Sequence, residues 1–254
     1  MYVLLPPSET KALGGDGPAL DLDRLGFPAL NATRETLIGA VTDLCADPDR
    51  RTQARTALGV AASKDAEIDA TALMGAAGTR PALQRYTGVL YDALSLASLP
   101  PSARTRANDR LLIASALFGL VRGGDLVPAY RFSAGSRLPG RGPVAADWRP
   151  VLAPVLDELL AEGAPVLDLR SGAYAAFAPA PGAITVRVLS EAVPGDPSTR
   201  SVVSHFSKHA KGLLARALVA SRAEMCDVPA VIRVARRAGL RVERTGTTTL
   251  ELIT

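Results

Sequence analysis

Tyr2-Val3-Leu4-Leu5 is a short apolar run closed by Pro6-Pro7, and it predicts a buried strand followed by a loop from Ser8 to Lys11. Gly14-Gly15-Asp16-Gly17-Pro18 is irregular. Leu37, Ile38, Val41 and Leu44 then recur at helical spacing, predicting a helix from Asn31 to Cys45 that Asn31 or Thr33 could cap. Helices are also predicted over Arg50–Leu58 and Ala66–Ala77. The segment Tyr86–Leu94 fits two periods: its aromatics favour a strand, whereas Leu90, Ala93 and Leu94 continue a helical face. Arg110–Leu120 reads as helix or buried strand, and Val121-Arg122-Gly123-Gly124-Asp125 as a turn.

The second half is clearer. Val151, Leu152, Val155, Leu156, Leu159 and Leu160 give Trp148–Glu162 the apolar stripe of an amphipathic helix, ended by Gly163. Pro165–Leu169, Ile184–Leu189 and Val202–Phe206 read as strands. Ser207 is placed to cap a helix from Lys208 to Arg222, with Leu213, Leu214, Ala217 and Leu218 buried. A helix over Val228–Ala238 and a hairpin or edge strand over Arg241–Ile253 complete the chain. The sum is a mixed α/β or α+β protein with no repeat and no sharp internal boundary, so its 254 residues are read as one domain.

Composition changes this picture little. A hydrophobic content of 48% is ample for a core, and the formal charge of +4 suits an anionic partner without naming one. Cys45 and Cys226 are isolated, which excludes a disulfide framework and a C-x-x-C metal motif, and fits a reduced, cytosolic setting. No run approaches membrane-spanning length, so no membrane partner is expected.

Chemistry concentrates in a few places. The chain has four lysines, and two of them fall with both histidines in His205-Phe206-Ser207-Lys208-His209-Ala210-Lys211. Unlike arginine, lysine can lose its proton when buried and act as a base or nucleophile. His205 and His209 fall on different predicted elements, strand and helix, so no metal site is expected. The predicted helix start with Lys208 and Lys211 would instead suit an anion, though two solvated lysines fit as well. Ser8, Glu9 and Lys11 offer a hydroxyl, a carboxylate and an amine just past a buried strand, where α/β proteins gather ligands. Glu9 with Lys11 is either an ion pair holding the loop or a tuned acid/base pair. Asp168 lies in an apolar strand and needs a cation, which Arg170 would supply by alternation as a structural salt bridge. Lys64 reads as ordinary surface. Gly119–Phe132 joins glycines to arginines and resembles weakly a glycine hairpin between helices that reaches DNA phosphates. Phosphate-binding loops, dinucleotide fingerprints and the G-x-S-x-G nucleophile motif are missing from the sequence.

Five segments together carry a family resemblance: Leu4–Lys11, Arg85–Tyr91, Ala116–Arg122 with Asp125–Arg131, Val166–Tyr174, and Ser204–Leu213. In this order and spacing the chain resembles the YaaA family of peroxide-stress proteins over nearly its whole length. The resemblance implies one α/β domain with a central mixed sheet, surrounding helices and a helix-hairpin-helix-like element. It also implies a basic cleft that binds duplex or distorted DNA, and a role in limiting iron-driven oxidative damage. By motif position, Lys11, Tyr91, Arg131, Ser171, Tyr174, Lys208 and Lys211 would line the cleft. Lys11, Glu9 and Lys208 are therefore the candidates for chemistry. Ser8, Tyr91, Arg122, Arg131, Ser171, Tyr174, His209 and Lys211 are the candidates for holding DNA or, in an alternative enzyme reading, a nucleotide, nucleobase or other small anion. No cofactor is expected, and whether the protein catalyses a reaction is open at this point, as is its oligomeric state.

Overall fold

The opening apolar run forms strand β1, Tyr2–Leu5, and Val3, Leu4 and Leu5 are fully buried, as a strand covered on both faces must be. The computed structural model describes residues 1–203 and 207–254. After β1 come helices α1 (Asn31–Ala46), α2 (Arg51–Leu58) and α3 (Asp65–Ala72), then the short strand β2 (Arg80–Pro81) and helices α4 (Ala82–Arg85), α5 (Val89–Leu94) and α6 (Pro101–Arg110). Strands β3 (Leu111–Ser115), β4 (Gly119–Arg122) and β5 (Leu126–Val127) lead to α7 (Val144–Ala161), β6 (Val166–Asp168) and α8 (Gly172–Ala175). The remainder is β7 (Ile184–Glu191), β8 (Arg200–Val202), α9 (Ser207–Ala220), α10 (Val228–Arg237), β9 (Arg241–Arg244) and β10 (Thr249–Ile253).

The main sheet runs β4-β3-β1-β6-β7-β10-β9, with β8 beside β7. Strands β3, β1, β6, β7 and β10 are mutually parallel, whereas β4, β8 and β9 pair antiparallel with β3, β7 and β10. The fold is thus the expected mixed α/β one. Counted in chain order, the five parallel strands stand in the sheet as second, first, third, fourth, fifth. Strand order reverses where β1 meets β6, so the crevice beyond the carboxyl ends of those two strands is where such a sheet accepts ligands. All of β3 is buried, which requires cover on both faces. Helices α5, α6, α9 and α10 pack together and reach β3 and β7, while α7 packs against β4. Gly212 on α9 permits the close crossing with α5, because a Cβ there would collide with the Leu90 carbonyl.

Several expectations are corrected. The Arg110–Leu120 run is neither one helix nor one strand: α6 ends at Arg110, β3 takes the uninterrupted apolar Leu111–Ser115, and Gly119, at φ 70°, starts the return strand β4. The Arg122–Asp125 turn consequently joins two strands, β4 and β5, rather than two helices, so this segment is not helix-hairpin-helix-like. Neither Asn31 nor Thr33 caps α1: Leu30 holds the cap position, and Asn31 donates to the Leu22 carbonyl at 3.2 Å and accepts from Arg34 at 2.8 Å. Within Tyr86–Leu94, Tyr86 bridges to Lys11 and the helix starts only after Gly88, at φ 95°. The end of the strand expected over Val202–Phe206 lies outside the described residues, and Ser207 is the first residue of α9. Helix α7 starts earlier than expected, at Val144, and carries Pro150 and Pro154 on its exposed side.

Candidate functional site

The loop after β1 bends Lys11 back under itself. Its amine donates to the Ser8 carbonyl at 3.1 Å and the Glu9 carbonyl at 3.4 Å, and sits 4.3 Å from the ring centre of Tyr130 and 5.5 Å from that of Tyr86. Burial, reinforced by the charge of Arg131, lowers the amine to about 7, against the opposing pull of Glu67 and Glu9. The Glu9 carboxylate pairs instead with Arg131, at 3.1 Å, and Arg131 also reaches Glu67 at 3.6 Å. Glu9 and Lys11 are thus not the direct side-chain ion pair weighed from sequence. Lys11, Glu9, Glu67, Ala70, Ala129 and Tyr130 help to line a chamber of about 190 Å³.

Below the chamber the phenols of Tyr86 and Tyr130 share a 2.7 Å hydrogen bond, and Tyr130 meets Ser115 Oγ at 2.8 Å. Ser115 also accepts from the Leu117 and Phe118 amides, so the turn after β3 fixes this polar chain. Burial drives the phenols of Tyr86, Tyr91, Tyr130 and Tyr174 upward, leaving them protonated donors. Arg85 secures the surrounding backbone: fully buried, it donates to the carbonyls of Ala12, Gly14 (2.7 Å), Gly78 (3.2 Å) and Val127 (3.1 Å).

Across the Ser8–Thr10 loop lies a second hollow of about 280 Å³, bounded by Pro6, Ser8, Thr10, Thr87, Tyr91 and Lys208 among others. Ser8 and Thr10 share a hydroxyl contact at 3.1 Å, and Thr87 donates to Thr10 at 3.1 Å. The Tyr91 hydroxyl donates to the Pro6 carbonyl at 2.9 Å, tying α5 to the end of β1.

The structure brings most of the predicted residues together at the carboxyl ends of β1 and β6. Lys11, Glu9, Ser8, Arg131, Tyr91 and Lys208 border the two hollows or brace them. Tyr174 accepts from the Ala134 amide at 3.3 Å, near Arg131, and Ser171 opens α8 just past β6. Lys211 turns inward, donating to the Leu169 carbonyl at 2.9 Å and the Arg170 carbonyl at 3.3 Å, and burial lowers its amine. Lys208 and Lys211 therefore do not act as one clamp. His209 is exposed on α9 and lines neither hollow, and His205 lies outside the described residues. Arg122 is at the wrong end of the sheet: it pairs with Leu112 near the start of β3 and packs 5.0 Å from Phe27. Arg170 holds Asp168 through two nitrogens, at 3.0 and 2.7 Å, the structural bridge expected from alternation. Lys64, exposed and 3.7 Å from Glu67, is ordinary surface. Among the described residues no group of three or more His, Cys, Asp or Glu side chains could hold a metal ion. None of their helices is long and apolar enough to cross a membrane.

The sequence pattern does not mark Glu67, Tyr130, Tyr86 and Ser115 as site residues. Tyr130 and Tyr86 sit inside resemblance segments, a usable signal, whereas Glu67 arrives on α3 with no local mark of its role.

The model of the family described as peroxide stress protein YaaA matches residues 1–245, spanning every element of the site. The chain belongs to this family. Among curated relatives, a UPF0246 protein of Corynebacterium efficiens is 46% identical over 251 residues, covering 96% of this chain and 95% of its own. One from Streptomyces coelicolor is 43% identical over 243 residues, covering 96% and 92%. An uncharacterized Campylobacter jejuni protein is 32% identical over 139 residues, 54% of this chain and 52% of its own. The expected membership of the YaaA family is thus confirmed by the sequence as a whole.

Proposed function

We propose that this YaaA/UPF0246 protein serves the peroxide stress response by binding, and acting on, a small anionic metabolite in the Lys11 chamber. The observation that carries the reading is the Lys11 amine itself: half-buried beneath the loop that follows β1, held by the Ser8 and Glu9 carbonyls, with a proton that is exchangeable near neutral pH. Arg131 supports it, because its Nε is buried without an acceptor and its Nη2 is held by Glu9, an exposed carboxylate that an incoming anion can displace. A volume of about 190 Å³ favours a ligand smaller than a nucleotide. Lys11 takes or returns a proton, and Arg131 neutralises the ligand's charge. The setting we infer is cytoplasmic.

DNA binding, with protection against iron-driven damage, is the second reading. The exposed Lys208 and His209 on α9 and the net charge of +4 favour it. A single experiment separates the two: thermal-shift and calorimetric titration with small carboxylates, phosphates, nucleobases and nucleotides, alongside fluorescent duplex at two salt concentrations. The metabolite reading expects saturable small-anion binding that Lys11→Met and Arg131→Gln weaken at least tenfold while Lys208→Ala leaves it unchanged. The DNA reading expects salt-sensitive duplex binding lost in Lys208→Ala. Folded protein that binds no small anion sinks the first reading.

A further inference from the structure

We propose that Lys11 forms an imine with the carbonyl of a small oxo acid, whose carboxylate Arg131 holds in the chamber. This rests on the metabolite-binding reading and names its substrate class. The geometry around the amine supplies the first argument. An ammonium has three N–H donors and a neutral amine two, and among the described residues two backbone carbonyls, of Ser8 and Glu9, accept from it. A neutral Lys11 thus satisfies both carbonyls and keeps its lone pair for an electrophile. The nearby Tyr130 ring favours the ammonium, so it opposes burial and leaves both forms accessible.

The second argument is the charge that surrounds an imine once formed. Glu9 and Glu67 both line the chamber, and Glu67, which stays in place, stabilises a protonated imine as it does the ammonium it replaces. Arg131, now paired with both, is the group left to receive a substrate carboxylate when Glu9 swings outward. A carbonyl beside a carboxylate engages both groups, the Lys11 lone pair and the Arg131 guanidinium; a phosphate has no carbonyl for the amine to condense with.

The step balances without a redox partner. The Lys11 nitrogen forms a bond to the carbonyl carbon, and the carbonyl π pair moves to oxygen, which takes up a proton. Nitrogen loses one proton to give the neutral carbinolamine; a second proton on its hydroxyl lets that group leave as water while the nitrogen lone pair forms the C=N bond, and the protonated imine returns a proton when it gives up its last N–H. Amine plus carbonyl thus gives imine plus water.

The test uses the intact chain with pyruvate or glyoxylate as probe and sodium cyanoborohydride to reduce the imine, followed by peptide mass spectrometry. The expected result is one reduced adduct on the Lys11 peptide, none at Lys64, and a rate that rises as pH passes through about 7. Lys11→Arg, verified as folded, should carry no adduct. Arg131→Gln, which keeps the amine, should label about tenfold more slowly through lost carboxylate binding. Labelling absent from Lys11, or spread equally over Lys64 and Lys208, overturns the imine. Calorimetry keeps the two readings apart: if pyruvate binds in a Lys11-dependent way without labelling it, the imine falls and the binding site stands. If no small anion binds and no adduct forms, both fall.

Discussion

At the outer edge of the sheet, Arg200 reaches Glu191 at 3.1 Å, Glu243 at 2.9 Å and Glu251 at 3.2 Å, and Arg241 joins Glu191 and Glu243. At the carboxyl ends of β1 and β6, Lys11 and Lys211 meet backbone carbonyls instead. Both regions concentrate charge, but only the first matches each cation to carboxylates at bonding distance. There the hydrogen bond from Arg241, helped by the Gly195 amide, lowers Glu191 to about 2, so the network prefers full ionisation. Around Lys11 burial works the other way and favours the neutral amine. Matched charge keeps an edge ionised; a cation whose amine meets only backbone carbonyls at hydrogen-bond distance is left with a proton it can lose.

The largest expected effect comes from removing the cation that supports the chamber's backbone. Arg85→Met leaves four carbonyls without their donor and should destabilise the fold by about 4 kcal/mol in urea unfolding. An effect as small as that of a surface arginine would mean the chamber's backbone stands without Arg85. Lys11→Met comes next, and its sign is opposite. Folded Lys11 titrates near 7 and the unfolded lysine near its ordinary 10.5, so holding the ammonium in place opposes folding below pH 7, and the penalty fades as pH rises toward 10.5. After allowing for the lost carbonyl bonds, the variant should be more stable than the parent by about 2 kcal/mol at pH 6, with the gap closing by pH 10. A gap that is constant with pH would place Lys11 among the matched charges.

Glu191→Gln sharpens the other half of the comparison. Because the folded Glu191 titrates below an unfolded glutamate, its contribution is present above pH 4.5 and is lost as pH falls toward 2. The variant should therefore unfold more easily than the parent at pH 7 and match it near pH 2, as read by thermal melts in low salt. The smallest effect belongs to Arg122→Ala, at the opposite end of the sheet from both hollows. Stability should change by less than about 1 kcal/mol, and anion binding not at all, as measured by calorimetry.

Much of this arrangement is legible in the chain. The opening apolar run locates β1 and period-3.6 patterns locate α1, α9 and α10, and the lysines at 11 and 211 stand out because the residue type is rare here. What local pattern does not reach is tertiary. Leu111–Ser115 suits helix or strand until its neighbours β1 and β4 decide it. Tyr86–Leu94 serves both readings because Gly88 divides it in two. Glu67 looks like surface charge, and only the packing of α3 beside the Arg131 segment brings it to Lys11. Lys208 and Lys211 look like one basic clamp, yet the helix turns one outward and the other onto β6.

The place of β1 in the middle of the sheet also orders events during synthesis. Its partners are Leu111–Ile113 on one side and Val166–Asp168 on the other. Lys11 follows β1 closely, but that strand has no first neighbour until the chain reaches Leu111 and no second until it reaches Asp168. Until then the amine is an ordinary solvated lysine, charged and weakly nucleophilic. Only when distant segments close around it, a slow step for contacts so far apart in sequence, does it acquire its altered chemistry. A chain halted midway would carry the lysine without its lowered proton affinity.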